Sequence, residues 1–93
     1  MTIEDLFFLH LLENHNQGKY IVTEAITEKG IQKKLNCDIG LISRIIKKNE
    51  EEGYIYRKIM KIENKKRKQN AIFLSDEGIE RAKELHNKTS GLK

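Results

Sequence analysis

The residues of this chain best suited to chemistry are its cations. Arg57, Lys58, Lys61, Lys65, Lys66, Arg67 and Lys68 fall in one short segment that holds a single acid, Glu63. The 93-residue chain carries a formal net charge of +4, so this segment holds +6 and the remainder −2. A protein that is acidic apart from one basic patch has a directional field, which suits a polyanionic partner. The competing reading of such a patch is a solvated lysine-rich loop. A second set, Gly40, Ser43, Arg44, Lys47 and, at its edge, Lys48, recurs at helical spacing opposite Ile42, Ile45, Ile46 and Asn49. That face can do hydrogen-bond chemistry on a duplex. Arg pairs with guanine edges, Ser with a base or a phosphate and Lys with phosphate, and Leu41 beside them can touch a thymine methyl.

Other chemistries lack their residues. His10, His15, His86 and Cys37 are the soft metal-ligand candidates, and none falls at a zinc-type spacing, so neither a metal nor a cofactor is expected. Cys37 reads as a small apolar residue of a turn. There is no nucleophile elbow, no glycine-rich phosphate loop and no carboxylate pair framed by apolar residues. Glu50, Glu51 and Glu52 read as a solvated helix end, and the chain is not expected to be an enzyme. One cysteine excludes an internal disulfide, which makes the reducing cytoplasm the expected compartment. The apolar run Leu6 to Leu12 follows Glu4 and Asp5. It is too short to cross a bilayer and lacks a signal peptide's basic start. At 38% hydrophobic and 34% charged, the chain reads as one thinly cored domain over residues 1–93.

The elements that must position the cations follow from local signals. Thr2, with Asp5 three residues on, caps a first helix over 1–16. Ile3, Phe7 and Leu11 share one face of it, while Leu6, Phe8, Leu9 and Leu12 fill the others. A helix apolar nearly all round buries more than one side, so Leu6, Phe8, Leu9 and Leu12 are expected to pair with a second copy of the chain. Lys19 to Thr23 reads as an extended piece or a loop. Thr27 caps a short helix carrying Ile31 and Leu35, Asn36-Cys37-Asp38 makes the turn, and Asp38 caps a helix over 39–52 that Gly53 ends in the left-handed region. Tyr54 to Ile62 and Ala71 to Leu74 read as strands, joined by a polar basic connection over 63–70. Ser75, Asp76 and Glu77 open a last helix with Ile79, Ala82 and Leu85 inward, frayed after Asn87. The expected class is mainly α with a small β-hairpin, in the order helix-helix-helix-strand-strand-helix.

Two helices joined by a tight turn, the second longer and basic outside, make a helix-turn-helix pattern. Ile26-Thr27-Glu28-Lys29-Gly30-Ile31, Leu41 to Lys48, Glu50 to Ile55 and Phe73-Leu74-Ser75-Asp76-Glu77-Gly78 together resemble the winged helix-turn-helix regulators of archaea and bacteria, MarR-like proteins among them. The resemblance covers residues 23–85, with 86–93 as a frayed tail. It implies that 39–52 is a recognition helix, that Tyr54 to Leu74 is the wing with its basic part at 57–70, and that the chain binds double-stranded DNA as a homodimer to control transcription. Three positions depart from the family pattern. Asn49 stands where it has leucine, Gln32 where a small residue faces the second helix, and Asn36 where the turn has glycine. Of these, Gln32 is expected to widen the angle between the helices.

The expected contacts with duplex DNA are Gly40, Leu41, Ser43, Arg44, Lys47 and Lys48 in the major groove. Arg57, Lys58, Lys65, Lys66, Arg67 and Lys68 are expected on the backbone or minor groove, where they supply affinity more than sequence preference. The alternative is a protein-interaction module whose basic patch meets an acidic protein. RNA is a third reading, disfavoured because aromatic residues that could stack unpaired bases make up 6% of the chain.

Overall fold

A computed structural model describes residues 1–15 and 21–90, with the side chains of 89 and 90 excepted. The expected extended piece at 19–23 lies partly outside the described residues. Helix α1 spans Ile3–Glu13, and its start carries the anticipated capping box: Asp5 N–H donates to Thr2 Oγ1 and Thr2 N–H to Asp5 Oδ2, both at 3.1 Å. Strand β1 (Ile21–Val22) and a 3₁₀ turn (Glu24–Ile26) lead to α2 (Glu28–Leu35) and α3 (Ile39–Glu51). Strands β2 (Ile55–Ile62) and β3 (Lys68–Leu74) then form the hairpin, and α4 (Asp76–Ser90) closes the described chain. The class is the expected one, mainly helical with a small hairpin.

Three local features differ from the sequence expectation. The sheet has three strands in the order β1-β2-β3, because β1 pairs in parallel with β2 through Ile21↔Lys61 and Val22↔Ile62. Two residues are too few for an alternation signal, and Glu63 N–H donating to the Val22 carbonyl at 2.8 Å extends the pairing. Strand β3 begins at Lys68 rather than Ala71, since Lys68, Gln69 and Asn70 pair with Lys61, Met60 and Ile59. A backbone ladder needs no apolar side chain at its solvent end. The connection is therefore short, and Asn64 turns it with φ 66°. Last, α4 runs to Ser90 instead of fraying after Asn87, since Lys88, Thr89 and Ser90 include no helix-breaking glycine or proline.

The core lies where the four helices and the sheet meet. Phe7, Phe8, Ile31, Ile42, Ile62 and Ala82 lose all exposure there. Each large apolar side chain so buried contributes roughly 1.5–3 kcal/mol before entropy is counted. Gly53, with φ 81°, ends α3 as expected. Gly78 is required for space: a Cβ on it would lie 1.9 Å from the Tyr54 carbonyl oxygen. Ser75 caps α4 by accepting from Gly78 N–H at 3.2 Å, which fixes where the hairpin ends and the helix starts.

Candidate nucleic-acid interface

The turn between α2 and α3 is held by three side chains. Asn36 adopts the left-handed conformation, φ 51° and ψ 54°, in place of a glycine. Asp38 accepts from Gly40 N–H at 3.0 Å, and Gln32 Nε2 donates to the Cys37 carbonyl at 2.9 Å. Gln32 thus acts as a brace across the turn. Thr27 caps α2 by accepting from Gly30 N–H at 3.1 Å. With both helix starts capped, α3 is sorted as its sequence pattern requires. Ile42, Ile45, Ile46 and Asn49 are buried, whereas Gly40, Ser43, Arg44, Lys47 and Lys48 are exposed. Leu41 is half-buried against the core, and so is Cys37.

The hairpin stands beside this face. A cleft of about 550 Å³ separates α2 and the start of α3 from the strands, and Glu28, Lys29, Ile39, Arg57, Gln69 and Asn70 are among its lining residues. Arg57, Lys58, Lys65, Lys66, Arg67 and Lys68 are all exposed. The structure thus brings the two cationic sets, distant in sequence, to neighbouring elements.

Comparison with solved structures decides the architecture. MepR, a transcription regulator of the Staphylococcus aureus multidrug efflux pump MepA, superposes with a TM-score of 0.74 at 18% identity, over 99% of this chain and 59% of that chain. A MepR–DNA complex matches with a TM-score of 0.72 at 18% identity, over 99% and 66%. The transcriptional regulator SlyA matches with 0.70 at 22%, over 95% and 54%. The fold is the winged helix-turn-helix of MarR-like regulators. This chain spans less than two thirds of the length of each of these three. No family model and no curated protein sequence matches it.

Within the winged helix, several of the expected contact residues have partners that local sequence does not reveal. Ser43 Oγ donates to Glu28 Oε1 across the two helices of the helix-turn-helix. Arg57 makes a two-pronged pair with Glu50, Nε to Oε2 at 3.1 Å and the terminal nitrogen to Oε1 at 3.2 Å. Lys48 reaches Glu4 at 3.2 Å, and Lys65 reaches Glu24 at 3.5 Å. Arg44, Lys47, Lys58, Lys66, Arg67 and Lys68 make no ion pair among the described residues. Glu28, Glu50, Glu24, Gln69 and Asn70 were missed by sequence reasoning. None carries a signal along the chain: even Glu50, seven positions before Arg57, lies on a helix that ends before the strand begins.

The first helix requires a correction. Phe8, expected at an interface between copies, has no exposure and belongs to this domain's own core. It meets Phe7 and Tyr54 edge to face at 5.8 and 5.9 Å, and the Arg81 guanidinium lies 5.1 Å from its ring centre. Arg81 is in turn held by Glu4 at 3.5 Å. Helix α4 covers the side of α1 that carries Phe8, which the sequence pattern had assigned to a second copy. Leu6 is exposed, and half-buried Leu9 and Leu12 line a shallow hollow of about 380 Å³ with Glu13 and His86. The buried His10 donates from Nε2 to the Ala25 carbonyl at 2.7 Å, since a carbonyl can only accept. The described residues hold no grouping of three potential metal ligands.

Proposed function

We propose that this chain binds double-stranded DNA sequence-specifically and regulates transcription, with α3 as recognition helix in the major groove and the wing on the backbone or minor groove. The observation that carries the reading is the cationic face of α3, Arg44 and Lys47, beside a wing with Lys58, Lys66, Arg67 and Lys68, none of them in an ion pair among the described residues. A structural neighbour of this fold has been solved with DNA, which supports the same use here. Arg44 presents five N–H donors and suits guanine O6 and N7, while Lys47 and the wing cations neutralise phosphates. The partner that fits is a duplex rather than an acidic protein, because the cations are spread over two separated elements at a helix and a hairpin. The chain acts as a homodimer, joined through Leu6, Leu9 and Leu12 with the neighbouring edge of α4.

The test is a mobility shift with duplex DNA at several salt concentrations. Binding should weaken steeply as salt rises. Arg44→Ala should lower affinity for a selected duplex about 5- to 150-fold, in line with the roughly 1–3 kcal/mol of a good bidentate base contact. Absence of binding at low salt, or binding indifferent to Arg44→Ala and to a neutralised wing, refutes the reading.

A further inference from the structure

The Ser43–Glu28 hydrogen bond links the recognition surface to an acid on a different helix, in the first turn of α2. A serine hydroxyl has one hydrogen to donate and two lone pairs that accept. With that hydrogen committed to Glu28, Ser43 offers an approaching group only lone pairs. Phosphate oxygens, guanine O6 and N7, and thymine O4 are themselves acceptors and find no donor at Ser43. The major-groove groups that match are the exocyclic amines, N6 of adenine and N4 of cytosine. The Glu28 carboxylate is also acceptor-only, so it repels phosphate and favours an amine at the same place. Arg44, the next residue, has donors and no acid partner among the described residues. Neighbouring positions of α3 therefore present opposite hydrogen-bond characters.

We propose that Ser43 and Glu28 form an acceptor-only pair in which Glu28 makes Ser43 a reader of amino-bearing bases, adenine or cytosine, and bars it from phosphate. This rests on the DNA-binding reading above and adds a specificity determinant to it. It departs from the sequence expectation, under which Ser43 would serve base or phosphate alike.

Selection of bound duplexes from a random pool, run in parallel on the wild type, Ser43→Ala and Glu28→Ala, tests the assignment, with circular dichroism verifying that each variant is folded. The wild-type pool should contain a position rich in adenine or cytosine whose preference disappears with Ser43→Ala. With Glu28→Ala the same position should admit guanine and thymine, because the freed hydroxyl can donate. Placing purine for adenine there, or 2-pyrimidinone for cytosine, removes only the amine. That change should weaken wild-type binding about two- to twelvefold, the range of one net hydrogen bond, and leave Ser43→Ala unaffected. Which analogue acts tells adenine from cytosine. A guanine or thymine at the Ser43-dependent position, no Ser43-dependent position, or a preference that survives Glu28→Ala overturns the proposal while leaving DNA binding intact. A wild-type protein that retards no duplex at low salt removes the DNA-binding reading and this assignment with it.

Discussion

Asn49 sits on the inward stripe of α3 with 1% exposure. Its amide donates to the Ile45 carbonyl at 2.8 Å, whereas its Oδ1 finds no partner among the described residues. A buried acceptor left unpaired costs about 1–3 kcal/mol, so Asn49→Leu, close in shape, should stabilise the domain and raise Tm by roughly 5–10 °C in a thermal melt. A lower Tm would mean that Oδ1 is hydrated in solution. Glu50 offers a second test at this scale. Its carboxylate takes two donors of Arg57 and offsets the guanidinium charge, so it competes with a phosphate for that side chain. Glu50→Ala should tighten binding about two- to fivefold and steepen the dependence of log K on log salt by up to about 0.9, one phosphate's worth. An unchanged slope would show that Arg57 stays outside the complex. The cations themselves were legible as a patch, but their acid partners were not. Ser43 and Glu28 are fifteen positions apart, and Lys48 and Glu4 forty-four, so no periodicity connects them.

Among the elements, α2, the turn and α3 were readable almost to the residue, because each boundary is a local event. Thr27, Asp38 and Gly53 stand where the backbone needs a cap or a left-handed residue. The hairpin was readable in kind but not in length. Its outer rungs carry Lys68, Gln69 and Asn70, whose types say nothing for a strand, and pairing with β2 alone holds them there. This shapes the expectation for the wing. Lys66 and Arg67 occupy the short connection and Lys68 opens β3. Changing all three to Gln should lower the salt slope by about two to three units, the sum expected for three phosphate contacts, while sequence preference in a selected pool stays the same. A changed consensus with an unchanged slope would instead assign the wing to base reading.

At the scale of the whole molecule the question is self-association. With Phe8 committed to the domain's own core, the apolar surface left on α1 includes Leu6, Leu9 and Leu12. Leu9→Glu with Leu12→Glu should shift the sedimenting species from dimer to monomer. It should also weaken binding to an inverted repeat far more than to a single half-site, as two-fold proteins place their recognition helices about one DNA turn apart. A wild type that sediments as a monomer refutes this interface. Because the two leucines are half-buried at the rim, the fold itself should survive the change, which circular dichroism can verify.

What the sequence determined by itself is everything governed by neighbours along the chain. That covers the helix starts and stops, the sorting of α3 into apolar and cationic faces, and the concentration of charge in one hairpin. These depend on spacings of two to four residues, where side-chain type acts directly on the backbone. Only the tertiary structure decided which way Phe8 points, that Val22 adds a third strand, and which cations already hold a carboxylate. Each of those outcomes depends on packing between segments far apart in sequence. The net +4 of the chain accordingly resolves in two stages. Sequence locates the basic surface, and the fold separates Arg44 and Lys47, which are free of ion pairs among the described residues, from Lys48, Arg57 and Lys65, which are not.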